Sequence, residues 1–542
     1  MSHINTEFDW SVKPEALHTL PTAFSSPPLS SGLLQSVYDV LGPNVRPTPI
    51  QSLSLKHLFV PSPSTTYRRV LLASETGSGK SLAYLLPMLH NLKATEHTRL
   101  RRTGPRALVL APTHELSRQL ASFGKALVHH SRLRVQSSSR ANVANARVSA
   151  AKMANGFDGD EAEGEFEVRP GSGTGHDLDV LVGTPASVLR MARGSRWNKK
   201  LSGNEEARRK KWTVGRPEIG LSEIEWVVVD EADILFGTCL SVKVQDPISE
   251  AFGIDPDFID QTLLLLCDIA AARGKLVAAV GRDNGSRASV PLDYPFNFVL
   301  TSATIPAALA AHLDAHHPTM TRLVSPRLHR LPTHLALEFA PYSSGNRNAE
   351  VLGKLKAIWR DDVLAGRSRA RIVIFANTRA RAGEMGAYLS QNGVHNVVVT
   401  GQSIKDQSNR KGDSGLRVHG SNKHLAGFLK PMQNKKVLSR SQPTIGEGKE
   451  EVPVARETEG DLPRVLLSTS LLARGLDFDP SVSHVFVLDP PQNTADFLHR
   501  AGRTARAGRS GRVVVFGKRS GRGAGKLREM RQHLAALRDS RR

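Results

Sequence analysis

The chain has 542 residues and a formal charge of +22, with 73 Lys and Arg residues against 51 Asp and Glu residues. This length exceeds one compact domain and fits two with insertions, while a hydrophobic fraction of 39% excludes a wholly disordered chain. The positive charge predicts a polyanionic partner such as RNA, DNA or an anionic membrane, although solvated basic tails would give the same total.

Short aliphatic runs recur along the chain, each followed by a loop and a helical pattern. This alternation predicts parallel sheets with crossover helices. Because five runs lie in each half, we predict the α/β class, with two tandem doubly wound parallel-sheet domains. The predicted strands are residues 70–72, 107–110, 180–182, 226–229 and 298–300, then 372–375, 397–399, 465–467, 485–488 and 513–516.

Segments that break this pattern divide the chain. Stretches rich in Gly, Ser, Ala or charged residues are interpreted as surface insertions, partly disordered, because long structureless loops do not suit a compact core. The predicted organisation is an N-terminal extension (1–29), a first domain (30–325) with insertions near 137–175, 194–218 and 236–295, a Pro-interrupted linker (326–341), a second domain (342–517) with an insertion near 405–461, and a basic tail (518–542).

Residues 74–81, with the sequence SETGSGKS, lie between a predicted strand and a helical run. Glycines in such a turn let backbone N–H groups surround phosphate oxygens, and the helix N-terminus adds a favourable dipole. Lys80 would contact the β- and γ-phosphates of a nucleotide, and the Ser81 hydroxyl would ligate Mg²⁺. The predicted nucleotide-binding residues of this loop are Ser74, Glu75, Thr76, Gly77, Ser78, Gly79, Lys80 and Ser81.

The acidic sequence from Asp230 to Asp233 (DEAD) directly follows the apolar strand at 226–229. Ligands of open α/β sheets bind at the carboxyl ends of the strands. An aspartate there can hold Mg²⁺, and a neighbouring carboxylate can orient or deprotonate the attacking water. We therefore predict Asp230 as the metal residue and Glu231 as the base. Without the phosphate loop, an acidic helix cap would explain this sequence equally well.

Together these motifs resemble the DEAD-box RNA helicases of helicase superfamily two, over roughly residues 24–517. The resemblance implies two RecA-like domains, ATP and Mg²⁺ as cofactors, and RNA as the partner. Residues 47–51 (PTPIQ) resemble the family's Q motif, in which the amide of Gln51 would read adenine. Residues 302–304 (SAT) resemble the motif that couples hydrolysis to strand separation. The residues implied for interdomain coupling are Asp233, Ser302, Thr304 and His499.

Two motifs of the second domain complete the implied ATP site. Residues 468–477 (STSLLARGLD) resemble motif V, which implies that Gly475 and Asp477 face the nucleotide. Residues 499–506 (HRAGRTAR) resemble motif VI, which implies that Arg503 and Arg506 are arginine fingers that neutralise charge on the γ-phosphate. The implied catalytic set, namely Lys80, Asp230, Glu231, Arg503 and Arg506, is divided between the domains. ATP hydrolysis should therefore require their closure.

The implied RNA path departs from the family pattern. Its predicted residues are Pro112, Thr113, Glu115, Thr184, Pro185, Gly401, Thr469 and Arg474. The family generally has Arg at the position of His114, Gly-Arg at Ala186 and Ser187, and Asp at Ser470. Two basic contacts are thus missing, so the phosphate grip should be weaker or shifted to backbone N–H groups and the insertions. A DNA-acting helicase and an ATP-gated RNA clamp or scaffold remain as alternatives.

The cellular location and the partners are predicted from composition and from the resemblance of individual segments. Two cysteines, Cys239 and Cys267, indicate a reducing compartment, and no apolar run reaches the roughly 18 residues of a membrane span, so no membrane partner is expected. Several segments, including residues 24–51, resemble fungal mitochondrial DEAD-box helicases of RNA metabolism and large-ribosomal-subunit assembly. This implies a mitochondrial monomer acting on structured ribosomal RNA and assembly intermediates. The acidic N-terminus does not resemble a transit peptide, which keeps a nuclear or nucleolar location open.

Overall fold

The computed structural model describes the sheets and helices around the predicted motifs. The described residues are 15, 19–59, 67–96, 104–138, 178–194, 217–236, 258–277, 291–332, 334–342, 346–399, 425, 427–429, 463–469, 474–491, 493–506, 509–518, 525, 528–532 and 534. Gly401, Ser470 and most of the predicted insertions lie outside these residues. In the described ranges, every helix is too short or too polar to cross a membrane.

Strands and helices alternate along both halves of the chain. The strands are β1 (Arg69–Ala73), β2 (Ala107–Leu110), β3 (Val135–Ser137), β4 (Val180–Gly183), β5 (Trp226–Val229), β6 (Asn297–Ser302), β7 (Thr321–Val324), β8 (Leu335–Tyr342), β9 (Arg371–Ala376), β10 (Asn396–Val399), β11 (Val465–Thr469), β12 (Val482–Val487) and β13 (Gly511–Lys518). The helices are α1 (Ser31–Leu41), α2 (Pro49–Leu58), α3 (Lys80–Ala94), α4 (His114–Leu127), α5 (Pro185–Arg193), α6 (Ala232–Leu235), α7 (Phe258–Ala272), α8 (Ala307–His316), α9 (Arg347–Leu364), α10 (Arg379–Gln391) and α11 (Thr494–Ala501).

The strands form two parallel sheets, which confirms the predicted α/β class. The first sheet has seven strands in the order β3-β4-β2-β5-β6-β1-β7, and the second has six in the order β10-β11-β9-β12-β13-β8. Every residue of β2, β4 and β5 is buried, as expected for parallel strands covered by helices on both faces. The phosphate loop, the acidic motif and the SAT motif follow the neighbouring strands β1, β5 and β6, so all three meet at one sheet edge.

The boundary between the domains differs from the prediction. Strand β8 lies within the range 326–341 assigned to the linker, and it pairs with β13 from Leu335↔Gly511 to Tyr342↔Lys518. Pro341 suggested a break in this stretch, but proline is tolerated on an edge strand such as β8. The alternation of LALEFAPY was the strand signal. The second sheet therefore begins at Leu335.

Part of the range 236–295 also differs from its interpretation as a surface insertion. Helix α7 buries Leu265, Leu266 and Ile269 in the first domain. It is also tied to α5, because Arg193 donates from Nε and a terminal nitrogen to the two carboxylate oxygens of Asp268, both at 2.8 Å. Helix α7 is therefore part of the core.

The range assigned to a basic tail contains core contacts as well. The side chain of Leu534 is buried, and Met530 packs against the same apolar cluster. The guanidinium of Arg531 lies 5.8 Å from the centroid of the Phe339 ring on β8, within the range of a cation–π contact. These residues of the predicted tail therefore pack on the second domain.

The burial of α7 predicts a large difference between two leucine substitutions. Leu265 is fully buried, whereas Leu276, just after α7, is 92% exposed. Leu265→Ala should lower the free energy of unfolding of the first domain by about 2–5 kcal/mol because it leaves a cavity. Leu276→Ala should change it by less than about 0.5 kcal/mol. Urea unfolding followed by circular dichroism measures both, and equal effects would contradict a core position for α7.

Candidate active site between the two domains

The phosphate loop connects β1 to α3 and has the backbone shape that its glycines allow. Gly77 and Gly79 have φ values of +78° and +87°, in the left-handed region that favours glycine. A Cβ atom on Gly79 would lie 2.2 Å from Nε2 of Gln51, so only glycine fits at this point. The loop therefore leads directly into α3 with Lys80 as its first residue.

Lys80 is buried inside this loop. Its Nζ donates to the carbonyl oxygens of Ser74 at 2.7 Å and Glu75 at 2.9 Å. Burial lowers the pKa of Lys80, and the negative charges of Glu231 and Asp230 oppose that shift. The ammonium group is thus held at the loop, on the side where the acidic motif lies.

The Q-motif segment packs against the phosphate loop. Thr48 N donates to Oε1 of Gln51 at 2.9 Å, while Nε2 of Gln51 donates to the Gly79 carbonyl at 3.1 Å. The Thr48 hydroxyl donates to the Ser78 carbonyl at 2.7 Å. Gln51 therefore connects the start of α2 to the loop, and its reading of adenine stays a prediction.

The side chain of Asp230 is buried and accepts several hydrogen bonds. The donors are the Thr301 hydroxyl, the Glu231 amide at 3.0 Å and the Tyr84 hydroxyl at 3.2 Å. Burial, together with the charge of Glu231, raises the pKa of Asp230 to about 6. The Ser81 hydroxyl is also hydrogen-bonded to Tyr84. The two predicted Mg²⁺ ligands thus share one partner, and both offer the hard oxygen atoms that Mg²⁺ prefers.

Glu231 has a strained backbone and an unused acceptor. Its φ of +54° lies in the left-handed region, where a non-glycine residue costs energy and often marks a functional site. Its Oε2 atom is buried without a hydrogen-bond partner among the described residues, and so is Nδ1 of His499, which lies 3.7 Å away. A carboxylate with a free oxygen at this position suits the predicted general base.

The four predicted coupling residues lie in one buried cluster that joins the domains. Asp233 accepts from the Ser302 hydroxyl at 3.0 Å and from the Thr304 hydroxyl at 3.1 Å. Its Oδ2 also lies 2.7 Å from Nε2 of His499. Burial opposes ionisation of Asp233, but the charges of His499 and Arg474 and the hydrogen bonds from His499 and Ser302 outweigh burial and keep its pKa well below the usual range.

Both predicted arginine fingers approach the phosphate loop from the second domain. Arg503 is buried and donates to the carbonyls of His499 at 2.9 Å and Leu476 at 2.8 Å. Burial, together with the charge of Arg506, lowers the pKa of Arg503 to about 9. Arg506 donates to Oδ1 of Asp477 at 2.7 Å, and its Cγ lies 3.3 Å from the position of a Cβ built on Gly77.

The predicted RNA residues of the first domain lie at two neighbouring helix starts. Thr113 caps α4 by accepting from the Leu116 amide at 3.2 Å, and Thr184 caps α5 by accepting from the Ser187 amide at 3.3 Å. Pro112 and Pro185 flank these caps. Because β2 and β4 are paired, the two helix starts lie side by side, which suits the binding of adjacent phosphates.

Other predicted RNA residues are placed differently. Glu115 is buried and lies 3.4 Å from Arg118, and Thr469 is buried at the end of β11. Arg474 lies 3.6 Å from Asp233 and 3.7 Å from Asp496, beside the coupling cluster. The structure thus brings Arg474 to the domain contact, and its RNA contact stays a prediction.

Ser187, which replaces an arginine of the family pattern, points into the protein. Its hydroxyl donates to the hydroxyl of Ser138 at 2.8 Å and lies 3.0 Å from the Ser138 carbonyl. A Cβ on the neighbouring Gly183 would lie 2.0 Å from the same Ser138 hydroxyl. An arginine at position 187 in the same orientation would have to displace Ser138. The replacement of arginine by serine therefore fits the packing around Ser138.

Several contacts of the site could not be predicted from motif positions. Tyr84 and Thr301 hold Asp230, yet in the sequence both fit ordinary core positions of a helix and a strand. Arg500 pairs with Asp496 at 2.6 Å and donates to Asn377 at 2.7 Å. Asp496 lies one turn earlier on the same helix, whereas Asn377 lies far away in the sequence, so only the fold identifies it as a partner.

Comparisons with known proteins point in one direction. The DEAD/DEAH box helicase family matches residues 48–249, and the helicase conserved C-terminal domain matches residues 444–508. The mitochondrial ATP-dependent RNA helicase MRH4 of Cryptococcus neoformans (strain B-3501A) is 31% identical over 92% of this chain and 83% of its own length. The mitochondrial MRH4 helicase of Sclerotinia sclerotiorum is 26% identical over 90% of this chain and 73% of its own length.

Solved structures agree on the fold. Saccharomyces cerevisiae Dbp5 bound to RNA and ADP BeF3 superimposes with a TM-score of 0.56 at 19% identity, covering 95% of this chain and 94% of that chain. The DEAD-box helicase Mss116 bound to ssRNA and UDP-BeF superimposes with a TM-score of 0.55 at 16% identity, covering 93% of this chain and 76% of that chain. The two parallel-sheet domains therefore have the RecA-like fold of DEAD-box helicase structures.

Contact between Gly502 and the phosphate loop predicts a substitution that blocks closure. A Cβ on Gly502 would lie 1.6 Å from Oγ1 and 2.7 Å from Cβ of Thr76. Gly502→Ala should therefore disfavour the closed state by about 1–3 kcal/mol, as overpacking does, and lower ATP turnover in the presence of RNA about 5- to 150-fold. A steady-state phosphate-release assay measures this loss.

The matched control for this substitution is Gly383→Ala, on α10 of the same domain. A Cβ at this position meets nothing within 4 Å, so turnover should be unchanged. The melting temperatures of both variants should stay near that of the wild type. Full activity of Gly502→Ala would show that the domain contact seen here is not the reactive one.

Proposed function

Because this chain belongs to the DEAD-box family of ATP-dependent RNA helicases, we propose that it couples ATP hydrolysis to local remodelling of RNA duplexes or RNA–protein complexes. The observation that carries the proposal is the division of the site. Lys80 and Glu231 lie on the first domain, whereas Arg503 lies on the second, and the Asp233–His499 contact joins the two. Hydrolysis in this arrangement depends on domain closure.

Each side chain has a role that follows from its environment. Lys80, held at the phosphate loop, binds the β- and γ-phosphates. Glu231 orients and deprotonates the attacking water through its free Oε2. Arg503 and Arg506 neutralise the charge that builds on the transferred phosphoryl group. Mg²⁺, held by Ser81 and Asp230, would supply further neutralisation of phosphate charge.

RNA enters this scheme through linkage. An RNA strand can contact the helix starts that Thr113 and Thr184 cap in the first domain. If the same strand also contacts the second domain, it favours closure of the two domains, as ATP does. Each ligand therefore tightens the binding of the other. The contacts are to phosphates and 2′-hydroxyls of A-form RNA, with little reading of sequence. One chain supplies both halves of the site, so a monomer is sufficient for activity.

Two substitutions test the assignment of the ATP site. Lys80→Ala removes the phosphate contact and Glu231→Gln removes the base, so each should lower RNA-stimulated ATP turnover about 100-fold or more. Glu231→Gln should still bind ATP and RNA, because the glutamine amide keeps the shape of the side chain. The exposed residues Lys125 and Glu384 provide matched controls as Lys125→Ala and Glu384→Gln. Undiminished turnover in either site variant would refute the assignment.

Assays of ATP turnover, RNA binding and strand separation distinguish the proposed function from its alternatives. Wild-type turnover should rise with RNA and rise less with DNA of the same sequence, and a preference for DNA would indicate a DNA-acting helicase. ATP-dependent RNA binding without strand separation would indicate the clamp. The inward position of Ser187 favours the clamp alternative. Weaker binding of RNA by the first domain would leave less binding energy for bending an RNA strand.

We further propose that the protein acts in mitochondria, in RNA metabolism and ribosome assembly, with structured ribosomal RNA and assembly intermediates as partners. Support comes from the Cryptococcus and Sclerotinia relatives, which are named as mitochondrial helicases. The mitochondrial relative of Saccharomyces cerevisiae strain S288c, which is 25% identical over 87% of this chain, adds to it.

Fluorescent tagging of the full genomic reading frame tests the location. We expect the signal to coincide with a mitochondrial matrix marker, and crosslinking in cells should recover mitochondrial ribosomal RNA. A signal confined to the nucleolus would overturn the mitochondrial proposal and leave the ATPase proposal unaffected.

A further inference from the structure

Gln119, on α4 of the first domain, makes a two-way hydrogen bond with the backbone of the second domain. Its Oε1 accepts from the Asp477 amide at 2.8 Å, and its Nε2 donates to the Asp477 carbonyl at 3.2 Å. A carboxamide carries one acceptor and a donor group, so it can satisfy both polar atoms of one peptide residue. The contact forms only where the two domains meet.

The same face of α4 makes a steric contact with the segment before Asp477. Leu116 lies one helical turn from Gln119, so both side chains point in the same direction. A Cβ on Gly475 would lie 2.3 Å from Cδ2 of Leu116, and the φ of Gly475 is +71°. The helix that begins at the Thr113 cap is thus fitted against residues 475–477 at two points.

Asp477 also contacts Arg506, an arginine of motif VI. Its Oδ1 accepts from Arg506 at 2.7 Å, and the Arg506 side chain lies against Gly77 of the phosphate loop. A continuous set of contacts therefore leads from α4, through Gln119 and Asp477, to Arg506 beside the phosphate loop. Gln119 itself touches neither the phosphate loop nor the cap residue Thr113 in this set.

We infer that Gln119 is a positioning residue that links the RNA-bound position of α4 to the placement of Arg506. The inference rests on the proposed function, in which RNA contacts the Thr113 end of α4. When RNA holds α4 in place, Gln119 fixes the backbone of Asp477, and the Asp477 carboxylate then orients the guanidinium of Arg506. Loss of Gln119 leaves both ligand sites intact but weakens the connection between them.

Gln119→Ala in the full chain tests the inference by separating coupling from binding. RNA-stimulated kcat should fall about 3- to 10-fold, because the variant loses both hydrogen bonds to the Asp477 backbone. The tightening of RNA binding by AMP-PNP should fall by the same factor. RNA affinity without nucleotide and the KM for ATP without RNA should stay at wild-type values.

Two further variants separate positioning from a general structural effect. Gln119→Glu keeps the acceptor for the Asp477 amide but loses the donor and places a charge near the Asp477 carbonyl, so it should also reduce coupling. Gln391→Ala removes an exposed glutamine at the end of α10 and should behave as the wild type. Thermal melting should be unchanged in all three variants, because Gln119 is only half-buried and lies on the surface of its own domain.

The outcomes distinguish this inference from the proposed function. If wild-type turnover does not respond to RNA, the proposed function fails. If the wild type responds and Gln119→Ala responds equally, the positioning role is overturned while the function stands. If Gln119→Ala weakens RNA binding without nucleotide, Gln119 is an RNA contact, and the inference is again wrong.

Discussion

The arrangement of the whole site depends on the buried contact between Asp233 and His499. A buried carboxylate is costly unless it is paired and hydrogen-bonded, and Asp233 meets this condition through Ser302, Thr304 and His499 together. Because His499 belongs to the second domain, the full set of partners exists only when the domains meet. The SAT motif contributes two hydroxyls to the same carboxylate, so strand β6 of the first sheet is held in the position that faces the second domain.

Close packing around this contact explains why glycines lie where the two domains approach each other. Gly502 leaves room for Thr76, Gly475 leaves room for Leu116, and Gly77 leaves room for Arg506. Each would place a Cβ within 3.3 Å of an atom of the other domain. Charge and shape thus favour the same relative position of the domains. The buried contact between Asp233 and His499 holds the two domains together at one point, and the glycines allow the domains to approach closely around it. A closed state specified in two ways can respond sharply to ligands that favour it.

Sequence reasoning predicts the parts of this structure that are encoded locally. The loop at 74–81 and the acidic motif follow buried strands, and parallel pairing brings them to one edge, so their proximity could be expected from the sequence. Contacts between distant segments could not be predicted in this way. Tyr84 and Gln119 fit ordinary positions of amphipathic helices, and only the packing of the domains reveals their partners. The linker and α7 were misassigned because a proline and flanking polar residues obscured a strand and a buried helix.

The departures along the RNA path follow from the same packing. Ser187, which stands where the family has arginine, is neutral and hydrogen-bonded to Ser138, and the guanidinium of Arg474, a predicted RNA contact, lies beside Asp233 and Asp496. Under the proposed function, the grip of the first domain on RNA comes from backbone N–H groups at the capped starts of α4 and α5, whose partial charges are smaller than the charge of arginine. Weaker intrinsic binding of RNA increases the importance of coupling, because nucleotide-driven closure must then supply more of the affinity. Under the proposed function, the connection from α4 to Arg506 through Gln119 is therefore of most consequence in a chain without arginine at positions 114 and 187.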